Sequence, residues 1–78
     1  MEKRIREQGK QPLTTRQREV LSFLEYHIVY HGYPPTYRDI AEAFGFSGPN
    51  AVAGHLAPLE AKGWIERDAA VARGIRIT

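Results

Sequence analysis

The sequence predicts a mainly α fold, three helices followed by a small β-hairpin. Three observations predict it. Apolar residues recur at helical spacing in three separate stretches, Val20 to Ile28, Ile40 to Phe44 and Val52 to Leu59. Each stretch follows a residue suited to starting a helix (Thr14, Thr36 or Pro49) and runs into a glycine (Gly32, Gly45 or Gly63). Beyond the last of these glycines the spacing shortens: Ile75 and Ile77 stand two apart, which places both on one face of a strand.

Each element has a local cause. Residues 1–12 have no clean apolar period and contain Gly9 and Pro12, so they read as a flexible basic tail ahead of a domain at 13–78. The first helix starts at Thr14, whose hydroxyl and the Gln17 side chain three residues later form a capping box. Val20, Leu21, Leu24 and Ile28 make its inner stripe, and Gly32 ends it because a residue without Cβ enters the left-handed region cheaply. Tyr33-Pro34-Pro35 is an extended link, since residues before proline avoid the helical region. A short second helix follows, with Thr36 as N-cap, Asp39 in the first turn, Ile40, Ala41 and Phe44 as its apolar face, and Gly45 as its stop. Phe46-Ser47-Gly48 is the turn. The third helix begins at Pro49, whose missing N–H would be unpaired there in any case. Val52, Leu56 and Leu59 form its buried stripe, and Gly63 ends it. Pro58 lies inside this helix, where its ring presses on the Gly54 carbonyl and should bend the axis. Trp64 to Arg67 and Gly74 to Thr78 read as strands joined by the loop Asp68 to Arg73. Two short helices joined by a tight turn, then a hairpin, is the order of a winged helix-turn-helix.

Composition narrows the function. A chain of 78 residues accommodates one small domain, and a deep catalytic cavity is not expected in it. Hydrophobic residues make up 42% and charged residues 26%, which is the balance of a folded domain. The absence of cysteine removes disulfides, zinc ribbons and thiol catalysis. No apolar run approaches the roughly 18 residues of a membrane span, and the N-terminus lacks the apolar stretch of a secretory signal, so the expected location is cytoplasmic. The net charge of +2 says little, but its distribution says more. Lys3, Arg4, Arg6, Lys10, Arg16 and Arg18 crowd one end, and Arg67, Arg73 and Arg76 the other. His27 and His31 stand four apart, but no third ligand is indicated. They read as two solvent-side histidines, and no metal or cofactor is expected. Phe23, Tyr26, Phe44, Phe46 and Trp64 sit mostly at core spacing and do not suggest a stacking platform for single strands.

From Leu13 to Thr78 the chain resembles the N-terminal DNA-binding domain of the LexA repressor family. The pieces that carry the resemblance are LTTRQREVL, GYPPTYRDIAEAFGF, SGPNAV, GHLAPLEAKGWIER and RGIRI. The double proline, the EAKGWI junction and the terminal RGIRI make it specific. The resemblance implies a transcriptional repressor that occupies inverted-repeat operators of DNA-damage (SOS) genes. The family's usual second half is a self-cleaving Ser–Lys domain that also dimerises. Ser22 and Ser47 are the only serines here, and spacing suggests a lysine partner for neither, so no enzymatic activity is expected.

With that resemblance, the start of the third helix is expected to enter the major groove. Asn50 can pair bidentately with N6 and N7 of adenine, and Ala51 can meet a thymine methyl. Ala53 and Gly54 complete the base-facing set by allowing close approach. Phosphate contacts are expected from Arg16, from Thr36, Tyr37 and Arg38 at the start of the second helix, and from Ser47, His55, Lys62 and Arg73. Arg4 and Arg6 could reach a minor groove as basic arms do, although a solubilising tail is the simpler role. The expected partner is double-stranded DNA, and because one such domain buries only about 600–1,000 Å² on DNA, it is expected to bind weakly unless it forms a homodimer there or is tethered to a partner. The competing expectation is a winged helix that binds another regulator, favoured by a weakly charged recognition helix. No membrane or small-molecule partner is indicated.

Overall fold

The computed structural model describes residues 10–68 and 70–78. The order is α1 (Thr15–His31), α2 (Tyr37–Phe44), α3 (Pro49–Ala61), β1 (Ile65–Arg67) and β2 (Ile75–Ile77), the expected three helices and antiparallel hairpin. The strands are each shorter than expected, and their register pairs Ile65 with Ile77, Glu66 with Arg76 and Arg67 with Ile75.

Local chemistry sets the boundaries. Thr14 accepts from the Gln17 N–H at 3.2 Å, and the Gln17 side chain accepts from the Thr14 N–H at 3.0 Å. Gly32 takes φ 79° and returns its N–H to the Ile28 carbonyl at 2.8 Å. α2 carries a second reciprocal box, between Thr36 and Asp39, with both bonds at 3.0 Å. At the end of α3, Gly63 (φ 88°) donates to Glu60 and Trp64 donates to Leu59, so the last carbonyls of the helix are satisfied by a Schellman turn. α3 runs through Pro58 as one element from Pro49 to Ala61.

The core is a single cluster of Val20, Leu21, Leu24, Ile40, Val52, Leu56, Leu59, Ile65 and Ile75. α3 is its hub: it packs on α1, on α2 and on β1. Its buried residues Val52, Leu56 and Leu59 fall at i, i+4 and i+7, one stripe of the helix. This leaves Asn50, Gly54 and Ala57, also at i, i+4 and i+7, exposed on another face.

Three expectations need correction. Ile28 is half-buried and lies outside the buried set of α1. Tyr26 is 58% exposed. At about 100° per residue it points roughly 200° away from the buried Leu24, so it belongs to the outer face of α1. Residues 10–12 do not trail away from the body. The Gln11 N–H donates to the Lys62 carbonyl at 3.0 Å, and the Trp64 indole N–H donates to the Gln11 carbonyl at 2.7 Å. The indole N–H of half-buried Trp64 finds its acceptor in this strap. Lys10 lies over the same indole, 4.9 Å from the ring centroid. Residues 1–9, with the proposed minor-groove arginines Arg4 and Arg6, lie outside the described residues.

The hairpin is closed at one end by the Asp68 N–H to the Gly74 carbonyl at 2.8 Å and at the other by the Thr78 N–H to the Trp64 carbonyl at 3.2 Å. Glu66 and Arg76 form a cross-strand ion pair on the exposed face. A Cβ at position 74 would collide with the Asp68 carbonyl oxygen and stand 2.9 Å from the Val71 carbonyl oxygen. Gly74→Ala should therefore open the wing and destabilise the domain by about 1–3 kcal/mol. Thermal melting together with loss of the amide protection of Asp68 checks this.

Candidate nucleic-acid interface

The turn between α2 and α3 presents the first turn of α3 outward. Pro49 and Asn50 are exposed, Ala51 and Ala53 are half-buried beside them, and Gly54 is exposed one turn further on. A Cβ added at Gly54 would meet nothing within 4 Å, so no packing inside the domain requires glycine there. The buried Val52 anchors this turn to the core between the outward residues. The four expected base-facing residues thus share one end and one side of α3. The amide of Asn50 is the group there with both a donor and an acceptor to offer.

A column of stacked side chains runs beside that end. The His55 ring lies parallel to Phe46, with centroids 4.2 Å apart and 7° between planes. Phe46 stacks in turn on Phe44 at 5.4 Å. The Arg16 guanidinium sits 5.0 Å from the Phe44 centroid and 5.5 Å from that of Phe46, while bonding Glu19 at 3.0 Å. Two expected phosphate contacts, Arg16 from α1 and His55 from α3, are therefore gathered at the turn, with exposed Ser47 between the helices. Phe46 organises this column, a role the sequence did not suggest.

The entry of α2 supplies the next group. Thr36 uses its hydroxyl oxygen to accept from the Asp39 N–H, which leaves its hydroxyl hydrogen to donate. The Tyr37 hydroxyl accepts from Arg67 Nη1 at 3.2 Å and likewise keeps its own hydrogen. Arg38 is 87% exposed and only loosely paired with Glu42 at 3.4 Å. An exposed pair of this kind is worth well under about 1 kcal/mol, so Arg38 is easily redirected.

Two expected phosphate contacts are engaged elsewhere. Lys62 Nζ donates to Gln17 Oε1 at 2.7 Å, tying the end of α3 to the start of α1. Arg73 Nη1 donates to the Pro34 carbonyl at 2.8 Å, lies 3.4 Å from Asp39 Oδ2, and its guanidinium covers the Tyr33 ring at 4.2 Å. His27 also departs from its solvent-side expectation. Its side chain is 11% exposed, its Nδ1–H donates to the Tyr33 carbonyl at 3.0 Å, and Nε2 stands 3.9 Å from Asp39. Asp39 is therefore a hub. The Thr36 backbone N–H above all holds its carboxyl below the usual carboxylate range. Partial burial opposes this, and the Thr36 side chain, Arg73 and His27 add to the lowering. The sequence showed Asp39 as a first-turn acid; the spacing T-x-x-D was the available sign of its cap, and nothing local marked its tie to the wing. His31 is exposed, and no group of three or more metal-ligating side chains occurs among the described residues. No helix among them is long and apolar enough to cross a membrane.

A tight turn, an exposed α3 start with a bifunctional amide, cationic and helix-entry donors on either side, and a hairpin wing define a winged helix-turn-helix of the DNA-binding class. The family model "LexA DNA binding domain" matches residues 10–74, and the chain belongs to that family. It is 52% identical over 65 residues to the LexA repressor of Geobacter metallireducens, covering 83% of this chain and 32% of that protein. It is 49% identical over 67 residues to the LexA repressor of Pseudomonas aeruginosa, covering 86% and 33%. The LexA repressor of Haemophilus ducreyi is 47% identical over 69 residues, covering 88% and 33%. The chain thus spans about a third of the length of these relatives.

Proposed function

We propose that this domain reads double-stranded DNA sequence-specifically as a LexA-like repressor, with the start of α3 in the major groove. The observation that carries the reading is the outward face at the start of α3, where exposed Asn50 is backed by buried Val52 and flanked by small residues. Small neighbours let the helix approach base edges closely, and a carboxamide is the side chain whose donor and acceptor match N6 and N7 of adenine. Ala51 then faces a thymine methyl, while Ala53 and Gly54 admit the groove wall. Arg16, Thr36, Tyr37, Arg38, Ser47 and His55 hold phosphates on either side. Lys62 supports this set from within, through Gln17.

The operators would be inverted repeats of the DNA-damage type, occupied by two copies, with repression arising from blocked access of polymerase. A single domain buries only about 600–1,000 Å² on DNA, so pairing on the operator or tethering to a partner is what gives useful affinity. The domain acts by binding alone, without catalysis, in the cytoplasm.

Asn50→Ala tests the assignment. Discrimination at one base position should relax by about 1–3 kcal/mol, while affinity for unrelated duplexes and its salt dependence stay as they were. Binding measured across single-base operator variants gives the answer. A preference unchanged at every position would remove Asn50 from the reading set.

A further inference from the structure

The wing is a hairpin of two three-residue strands, and an isolated two-stranded hairpin is marginal in water. Ile65 and Ile75 anchor its base in the core. Its loop is exposed at residues 70–73, and the Ala70 N–H donates to Asp68 Oδ1 of the same loop. Arg73 is the loop residue that reaches out of the wing. Its acceptors Pro34 and Asp39 lie 39 and 34 residues away, at the link and the first turn of α2, and Tyr33 lies under its guanidinium.

We propose that Arg73 is a positioning residue: clasped by Pro34, Asp39 and Tyr33, it fixes the wing against the entry of α2 and so sets the pose of the wing on DNA, without holding a phosphate itself. This rests on the DNA-binding reading above. To reach a phosphate, Arg73 would have to leave the Pro34 carbonyl and the Tyr33 face and withdraw a cation from Asp39. That carboxylate sits beside Thr36, Tyr37 and Arg38, the donors that would face the DNA backbone. Uncompensated, its charge would repel the same phosphates. The clasp therefore joins two effects in one contact: it orders the wing and neutralises an acid at the helix entry. His27, from α1, packs beside the same carboxylate, with Nε2 3.9 Å from Asp39 Oδ2.

The test is a cycle of Arg73→Met, Asp39→Asn and the double variant, with Arg73→Lys as the conservative replacement. Three quantities are read on the full chain: amide exchange of Asp68 in the free protein, the melting temperature, and affinity as a function of salt for a duplex recovered from a random DNA pool. Arg73→Met should speed exchange at Asp68 and weaken binding roughly three- to tenfold, the range of an exposed ion pair joined to a charged hydrogen bond, with the log–log salt slope unchanged. Asp39→Asn should weaken binding when Arg73 is present, but restore part of the lost affinity when Met replaces Arg73, because the uncompensated carboxylate is then gone. Arg73→Lys should recover part of the loss. A salt slope shallower by about 0.9 in Arg73→Met, with exchange at Asp68 unaltered, would make Arg73 a phosphate contact and overturn the proposal. A lower melting temperature with unchanged affinity would overturn it too, leaving a merely structural tie. If the unaltered chain bound no duplex, the DNA reading would fall by itself. The exchange arm would still decide the clasp, which unaltered protection in Arg73→Met would refute.

Discussion

Leu56→Ala is expected to lower the melting temperature by roughly 10–30 °C. Leu56 is fully buried in α3, the helix that touches α1, α2 and β1, so no single neighbour can move to close the space its side chain would leave. Leucine-to-alanine changes at such sites cost about 2–5 kcal/mol, and in a domain of this size each kcal/mol moves the midpoint by about 4–8 °C. A small domain has only a modest total stability, so part of the chain should be unfolded at 37 °C. The functional consequence follows from the same residue. DNA affinity measured per folded molecule at low temperature should be nearly intact, because the stripe Val52–Leu56–Leu59 supports the outward face without belonging to it. A loss of less than about 1 kcal/mol would mean that α3 is not the hub of the core.

Pro58→Ala is expected to act in the opposite direction, raising stability by about 1–3 kcal/mol. Pro58 lies inside α3 and has no N–H for the Gly54 carbonyl. An interior proline costs about 3 kcal/mol or more, but Gly54 is exposed and its carbonyl can turn to water, so the penalty recovered here is the smaller part of that range. The rest of the turn is intact, since the Lys62 N–H already bonds the Pro58 carbonyl at 2.9 Å. Denaturant titration should show a higher midpoint with an unchanged slope. A lower midpoint would mean that the half-buried proline ring contributes more by packing than it removes from the helix. The variant also reports on function. If the proline re-aims the outward face, Pro58→Ala will change the preferred duplex, and if it is a tolerated local fault only the stability will move.

Local chemistry explains what could be read in the sequence. Thr14 with Gln17, Pro49, and the glycines at 32, 45 and 63 act within a few residues of themselves, so helix starts and stops follow directly from the order of residues. The buried stripe of α3 follows from its period, and so does the exposed face beside it. The pieces that escaped are pairings across sequence. Trp64 meets Gln11 at a separation of 53 residues, Arg73 meets Asp39 at 34, and Lys62 meets Gln17 at 45. Each of those basic side chains looks identical in sequence to one that faces solvent or phosphate, and only the folded path decides between them. The site is divided in the same way. The outward placement of Asn50 and Gly54 on α3 was legible from the period of the helix, whereas the Arg16–Phe44–Phe46–His55 column and the Asp39 hub depend on how α1, α2 and the wing come together. Tyr26 failed for a simpler reason: aromatic character suggested burial, while its angle around α1 points it outward.

Selection of bound duplexes from a random DNA pool, followed by salt titration of the winners, tests the DNA reading most directly. A sequence-specific domain with the start of α3 in the major groove should enrich an inverted repeat, and its affinity should fall steeply with salt, each neutralised phosphate adding about −0.9 to the log–log slope. Uniformly weak binding with no enriched sequence would contradict it and turn the exposed face of α3 into a surface for protein partners.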